Sequence, residues 1–250
     1  MLQGNSFFSS IPPVVKNLLI INVLVWFFMA IIPAADQVLT KYLALYYFSS
    51  PAFQPFQLFT YMFLHGGFTH LFFNMFALVM FGMTIERAMG SARFLFYYIS
   101  VGIGAALIQM GVFAIYIYHL ESLFDAETVR EIITRGWDLI QNGYNFTDPD
   151  ASKLNAFVNT PMVGASGAIY GVLLAFGFLF PNVPIYIFFI PVPIKAKWLV
   201  IGYFVIELLY GFGGLADGVA HFAHIGGMIF GFLLLLYWKR KGVFNNRWFF

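Results

Sequence analysis

Two short stretches, Gly164-Ala165-Ser166-Gly167 and Ala223-His224-Ile225-Gly226-Gly227, place a serine and a histidine inside segments apolar enough to lie in lipid. A serine hydroxyl is a weak nucleophile at neutral pH and needs an adjacent base, and histidine is the side chain whose ordinary pKa suits that task. His70 and Asn74, spaced i and i+4, present two hydrogen-bond donors from one face of a helix. Ser166 opens its segment, so its backbone N–H lacks an intrahelical partner and lies at the positive end of the helix dipole. These groups fit acyl transfer: Ser166 attacks, His224 takes the proton, and His70, Asn74 and the Ser166 N–H hold an oxyanion. The reading points to hydrolysis inside a membrane.

The elements that position them are read from hydropathy. Of the 250 residues, 61% are hydrophobic and 10% charged, against roughly a quarter charged in ordinary soluble domains. A membrane span needs about 20 mostly apolar residues, and such runs recur along the whole chain. Spans are expected at Val14–Ile32, His70–Met89, Ala92–Tyr116, Gly164–Phe180, Lys197–Phe212 and Val219–Trp238. This gives an all-α, polytopic bundle of six transmembrane helices. The first span reads as retained, because Pro33-Ala34-Ala35 is a poor cleavage site. The absence of cysteine excludes disulfides, thiolate metal sites and a cysteine nucleophile, and a net charge of +2 is too small to imply nucleic acid.

Six spans leave both termini on one side. Lys16, Arg87, Arg93, Lys195, Lys197, Lys239, Arg240, Lys241 and Arg247 fall on that side with Glu86 as its one acid, while the other carries Lys41, Arg130, Arg135 and Lys153 against nine acids. The Lys and Arg excess predicts cytoplasmic termini. The second, fourth and sixth spans then begin outside, bringing Ser166, His224, His70 and Asn74 to one level. The chain reads as one membrane domain, residues 1–250, with an extracytoplasmic insertion at 119–160 between the third and fourth spans. Ser122 followed by Asp125 marks a helix start there, and Val129, Ile132, Ile133, Trp137 and Ile140 recur at helical spacing, as in an amphipathic helix lying on the outer leaflet. The aromatic 34–69 loop is expected partly in the interface. The sequon Asn145-Phe146-Thr147 is read as chance.

Gly167 with Gly171, and Gly227 with Gly231, form small-xxx-small pairs that let two helices touch. His224 shares a stripe with those glycines and His221 does not, which favours His224 as the base. Tyr170, one turn after Ser166, is placed to support the His224 ring. No acid is expected at comparable depth, so the reading is a dyad, with Asp217 a remote third member. Glu207 is assigned a structural hydrogen bond to a neighbouring helix, and His65 and His221 are read as structural.

These motifs together resemble the rhomboid family of intramembrane serine proteases. The resemblance rests on His70-Leu71-Phe72-Phe73-Asn74, on Gly164-Ala165-Ser166-Gly167 with Tyr170, on Ala223-His224 with Gly227 and Gly231, and on the Glu86-Arg87 and Gly90-Ser91 turn. It departs in lacking a Trp-Arg pair in the first outer loop and in the length of the loop before the fourth span. The resemblance implies a six-helix core with a cavity open to the outside, cleavage of single-pass membrane proteins near their outer ends, and no metal or cofactor. A bacterial inner membrane suits the chain. Competing classes are an inactive binder or chaperone of membrane helices, which loss of Ser166 or His224 would mark, and a transporter, which would show paired half-helices and charges in corresponding halves.

Overall fold

A computed structural model describes residues 7–186, 192–213 and 220–243. Its helices longer than four residues are α1 (Pro13–Ile31), α2 (Pro33–Leu43), α3 (Phe68–Met89), α4 (Ser91–Glu121), α5 (Ala126–Gln141), α6 (Pro149–Asn159), α7 (Ser166–Leu179), α8 (Ala196–Gly213) and α9 (His221–Arg240). A two-residue hairpin pair, β1 (Pro184–Ile185) and β2 (Ile194–Lys195), joins α7 to α8. Helices α1, α3, α4, α8 and α9 are long and apolar enough to cross a membrane. The chain is a polytopic helical membrane bundle.

Helix α7 departs from the expected span. It has 14 residues, about 21 Å at ~1.5 Å per residue, against a hydrocarbon core about 30 Å thick. Ten of those residues are buried, so α7 is surrounded by protein, chiefly α4 and α9, and need not reach both surfaces. Irregular backbone at membrane depth is tolerated where protein shelters it, and the segment entering α7 is sheltered. Leu45 and Met162 exchange two backbone hydrogen bonds of 2.9 and 2.8 Å, and the Gly164 N–H donates to the Tyr61 carbonyl at 3.0 Å. Ser166 therefore begins a helix below the end of the bundle.

The 119–160 segment differs from the expectation in two ways. Asp125, not Ser122, caps α5, accepting from the N–H groups of Glu127 and Thr128 at 3.0 and 2.9 Å, and these bonds hold its carboxyl below the usual range. The apolar face of α5 meets protein: Ile132 is buried with Leu154 and Val158 of α6 and with Ile117 and Leu120 of α4. Helix α6 is an addition to the expected elements, 11 residues long with a short stripe of Ala151, Leu154 and Val158; Asp148 caps it just before Pro149. Asn145 is committed to protein contacts, donating to the Ser152 carbonyl and accepting from Asn155. Asn159 donates to the Ile133 carbonyl at 2.9 Å and accepts from the Ser50 hydroxyl at 2.7 Å, linking α6, α5 and the 34–69 segment. That segment contributes its own core: Tyr46 and Leu64 pack with Met29 and Ala44, and Trp137 meets Tyr46 edge-on at 5.2 Å.

At the opposite end of the bundle, Glu86 is buried. It accepts from the Val14 and Val15 N–H groups at 2.9 and 2.8 Å and from the Ser91 hydroxyl at 2.7 Å. A carboxylate on α3 thus satisfies the unpaired amides that open α1 and suits their dipole. Replacing it should leave two buried donors unpartnered. Glu86→Ala is expected to lower stability by about 1.5–3 kcal/mol for bonds of this charged kind, read by reversible unfolding in mixed micelles. Unchanged stability would contradict the capping account.

Candidate active site

Helices α7 and α9 approach until their backbones touch. A Cβ on Gly227 would lie 2.0 Å from the Gly167 carbonyl oxygen, and one on Gly231 would lie 3.4 Å from the Gly171 Cα. Glycine is required here because any side chain would push the helices apart. Tyr97 of α4 seals the same seam, its hydroxyl donating to the Gly171 carbonyl at 2.8 Å.

Ser166, the first residue of α7, and His224, in the first turn of α9 rather than deeper, flank this contact. His224 Nε2 lies 2.8 Å from Ser166 Oγ. The Tyr170 ring stacks on the His224 ring at 4.2 Å between centroids and 7° between planes. His221 is turned away from Ser166; its Nδ1 lies 2.6 Å from Glu207 Oε2.

Gly164 joins the donors to this pair. Its φ is +126°, a region that disfavours side chains, and a Cβ there would stand 2.7 Å from His70 Nε2 and 3.8 Å from Ser166 Oγ. The His70 imidazole and the serine hydroxyl thus border one small space. Asn74 follows one turn along α3; it is buried, and its Nδ2 has no hydrogen-bond partner among the described residues. A buried donor without an acceptor is uncommon and is what an oxyanion site needs before its anion forms. His65 packs edge-on against His70 at 5.1 Å, and burial, reinforced by His70, pushes its pKa down to about 3.

One expectation is overturned. An acid does lie at the depth of the site: Glu207 of α8, buried, with Oε2 3.0 Å from His224 Nδ1. Its other oxygen accepts a hydrogen bond from the Tyr170 hydroxyl. The contact to His224 has ion-pair distance, but the oxygen lies off the ring's N–H direction, so it falls short of a directed hydrogen bond. Asp217, the remote candidate, lies outside the described residues. A sequence signal for Glu207 existed, since a carboxylate inside a span is costly and marks function or pairing; which helix face it occupied was not legible. Glu207, His221 and His224 are also, among the described residues, the group whose donor atoms converge to within 4.8 Å as a metal would require. Glu207 Oε2 and His221 Nδ1 already meet each other at 2.6 Å.

Comparison with known proteins places the chain in a family. The Rhomboid domain family matches residues 52–122 and 139–241, which include every residue named at this site, and the interval left out falls on most of α5. The chain is similar to "Rhomboid protease AarA" of Providencia stuartii, 32% identical over an alignment of 183 residues, covering 69% of this chain and 52% of that protein. It is 29% identical over 174 residues to "Rhomboid protein 1, mitochondrial" of Saccharomyces cerevisiae, covering 68% of this chain and 38% of the relative. "Putative rhomboid protease YdcA" of Bacillus subtilis is 36% identical over 97 residues, 38% of this chain and 48% of that protein. The chain thus spans about half or less of the length of the relatives it matches.

Two measurements probe this geometry. Gly227→Ala inserts a methyl group against a backbone carbonyl that has no rotamer to yield, so a loss of at least about 1–3 kcal/mol is expected in micelle unfolding; wild-type stability would mean that the helices are not in contact there. The unfolded chain protonates His65 near the ordinary 6.5, whereas the folded protein resists until about 3. The unfolded state therefore holds more protons in that window, and the His65 contribution is complete above 6.5 and drains away as pH falls. His65→Gln should flatten the acid-side decline of the melting temperature, and an unaltered slope would count against burial of a neutral imidazole.

Proposed function

The chain belongs to the rhomboid family, and from that membership we propose that it is an intramembrane serine endopeptidase acting on helical, single-pass transmembrane proteins. The observation that carries the proposal is the 2.8 Å contact between Ser166 Oγ and His224 Nε2. Ser166 attacks the scissile carbonyl while its proton passes to Nε2. His224 then returns that proton to the leaving amine. The Ser166 N–H, His70 and Asn74 take the oxyanion. Gly164 and Gly167 let the chain lie close to His70 and to α9, and Tyr170 holds the imidazole plane.

Partial burial adds to the strength of these donors, because charge that develops against fixed dipoles in a lower dielectric is favoured. Backbone amides within a substrate helix are already hydrogen-bonded, so the substrate unwinds locally before it is cut, and small or helix-breaking residues ease that step. The charge distribution of the loops supports cytoplasmic termini in a bacterial inner membrane, with the site toward the outer face. The whole of residues 1–250 acts as one membrane domain carrying the 119–160 insertion, and no metal or cofactor enters the reaction.

The experiment is cleavage of a labelled single-pass substrate by the reconstituted protein. Ser166→Ala and His224→Ala are expected to abolish cleavage, and His221→Ala to retain appreciable activity. His70→Ala and Asn74→Ala should each lower kcat by about 10²–10³-fold, the effect of losing one oxyanion donor. Equal turnover by the Ser166→Ala protein would overturn the proposal.

A further inference from the structure

We propose that Glu207 is a positioning residue for the same reaction, holding the His224 imidazole with its proton on Nδ1 and pairing with the imidazolium once Ser166 has given up its proton. The inference rests on the serine-protease reading above. It turns a pair of side chains into a line of three, drawn from α7, α9 and α8.

The placement of the carboxylate carries the argument. Helix α8 is mostly exposed on the bundle surface, and Ala196, Val200 and Glu207 are its buried residues. The one acid of α8 therefore sits on the side that meets α7 and α9. Three groups surround it: the Tyr170 hydroxyl at Oε1, and Nδ1 of His221 and of His224 at 2.6 and 3.0 Å from Oε2. Tyr170 and His221 would be enough to satisfy a carboxylate whose role was to tie helices together. The third contact falls on the ring atom opposite the one that meets Ser166.

That arrangement selects a tautomer. A carboxylate beside Nδ1 favours the proton there, which leaves the Nε2 lone pair facing the Ser166 hydroxyl. The hydroxyl then donates across the 2.8 Å contact, as a nucleophile must. With the proton on Nε2 instead, the ring would donate to the serine and could not accept from it. The oxygen lies off the Nδ1–H direction, an alignment that free enzymes often show before substrate tightens the site. The orientation is braced on both sides. Tyr170 stacks on His224 and bonds Glu207 with one side chain, while His221 bonds Glu207 and stacks on Tyr210 at 5.4 Å.

The proton balance is complete without Glu207 leaving its ionised form. As the Ser166 Oγ–carbon bond forms, the carbonyl electron pair moves to oxygen and the hydroxyl proton passes to Nε2. The positive charge this creates on His224 lies beside the Glu207 carboxylate. When the carbon–nitrogen bond breaks, the Nε2 proton goes to the departing amine and the imidazole is neutral again.

The test is Glu207→Gln, which keeps the shape and removes the charge. Expected is a fall in kcat of between about 10- and 10⁴-fold, the range reached when a base is left in the wrong tautomer, with KM little changed. Glu207→Asp, which restores the charge, should recover part of kcat. Should Glu207→Gln fail to fold, ¹⁵N spectra of histidine-labelled wild type decide: the His224 signal, assigned by its loss in His224→Ala, should report a proton on Nδ1. Wild-type kcat in Glu207→Gln, or a proton on Nε2 of His224, would overturn the proposal and leave the protease reading standing if Ser166→Ala is inactive. Turnover by Ser166→Ala would remove both.

Discussion

Two helix backbones in direct contact set the distance on which the site depends. The Gly167 carbonyl lies where a Cβ of Gly227 would have to stand, so α7 and α9 meet with no side chain between them. In lipid this contact has little hydrophobic drive, because acyl chains solvate apolar side chains as well as protein does; close packing supplies the attraction instead. Ser166 stands one residue before Gly167 and His224 three before Gly227. The glycine seam therefore delivers their side chains to hydrogen-bonding range.

Around that seam the fold repeats one solution to the problem of a buried carboxylate. Glu86 and Glu207 lie near opposite ends of the bundle, each buried and each met by three polar groups. The groups differ in kind. Glu86 accepts from two backbone amides and a hydroxyl, groups that keep their protons, and it acts as a fixed cap on α1. Glu207 meets a phenol and two imidazoles, groups able to change charge, and one of them faces the candidate nucleophile. Desolvation demands partners in both places, but only the second set can couple pairing to proton transfer.

The peripheral segments have a mechanical role. Because α7 is too short to reach both surfaces, its N-terminal approach must be held by something other than helix. The Leu45–Met162 bridge and the Tyr61–Gly164 bond do this, and the Ser50–Asn159–Ile133 chain of hydrogen bonds fastens the 34–69 segment to α5 and α6. The 119–160 segment packs its apolar face on protein, against α4.

The sequence by itself determined the membrane class, the order of the apolar helices and, through Gly164, Ser166, Tyr170, His224 and the glycine pairs, the serine and histidine that the fold brings into contact. Those signals are local: apolar run length and i, i+4 spacing follow from helical geometry alone. Helix α6 is weakly announced because its apolar stripe, Ala151, Leu154 and Val158, covers only two turns, and Ser122 and Asp125, two side chains able to cap, stand three residues apart. Only the tertiary structure decided that α7 is a short central helix, that α5 faces protein, and that Glu207 lies against His224. Each of these is a question of how one helix is rotated and set against another. Rotation is fixed by contacts between residues far apart in the chain, such as Glu207 with Tyr170, His221 and His224, and a hydropathy pattern cannot express them.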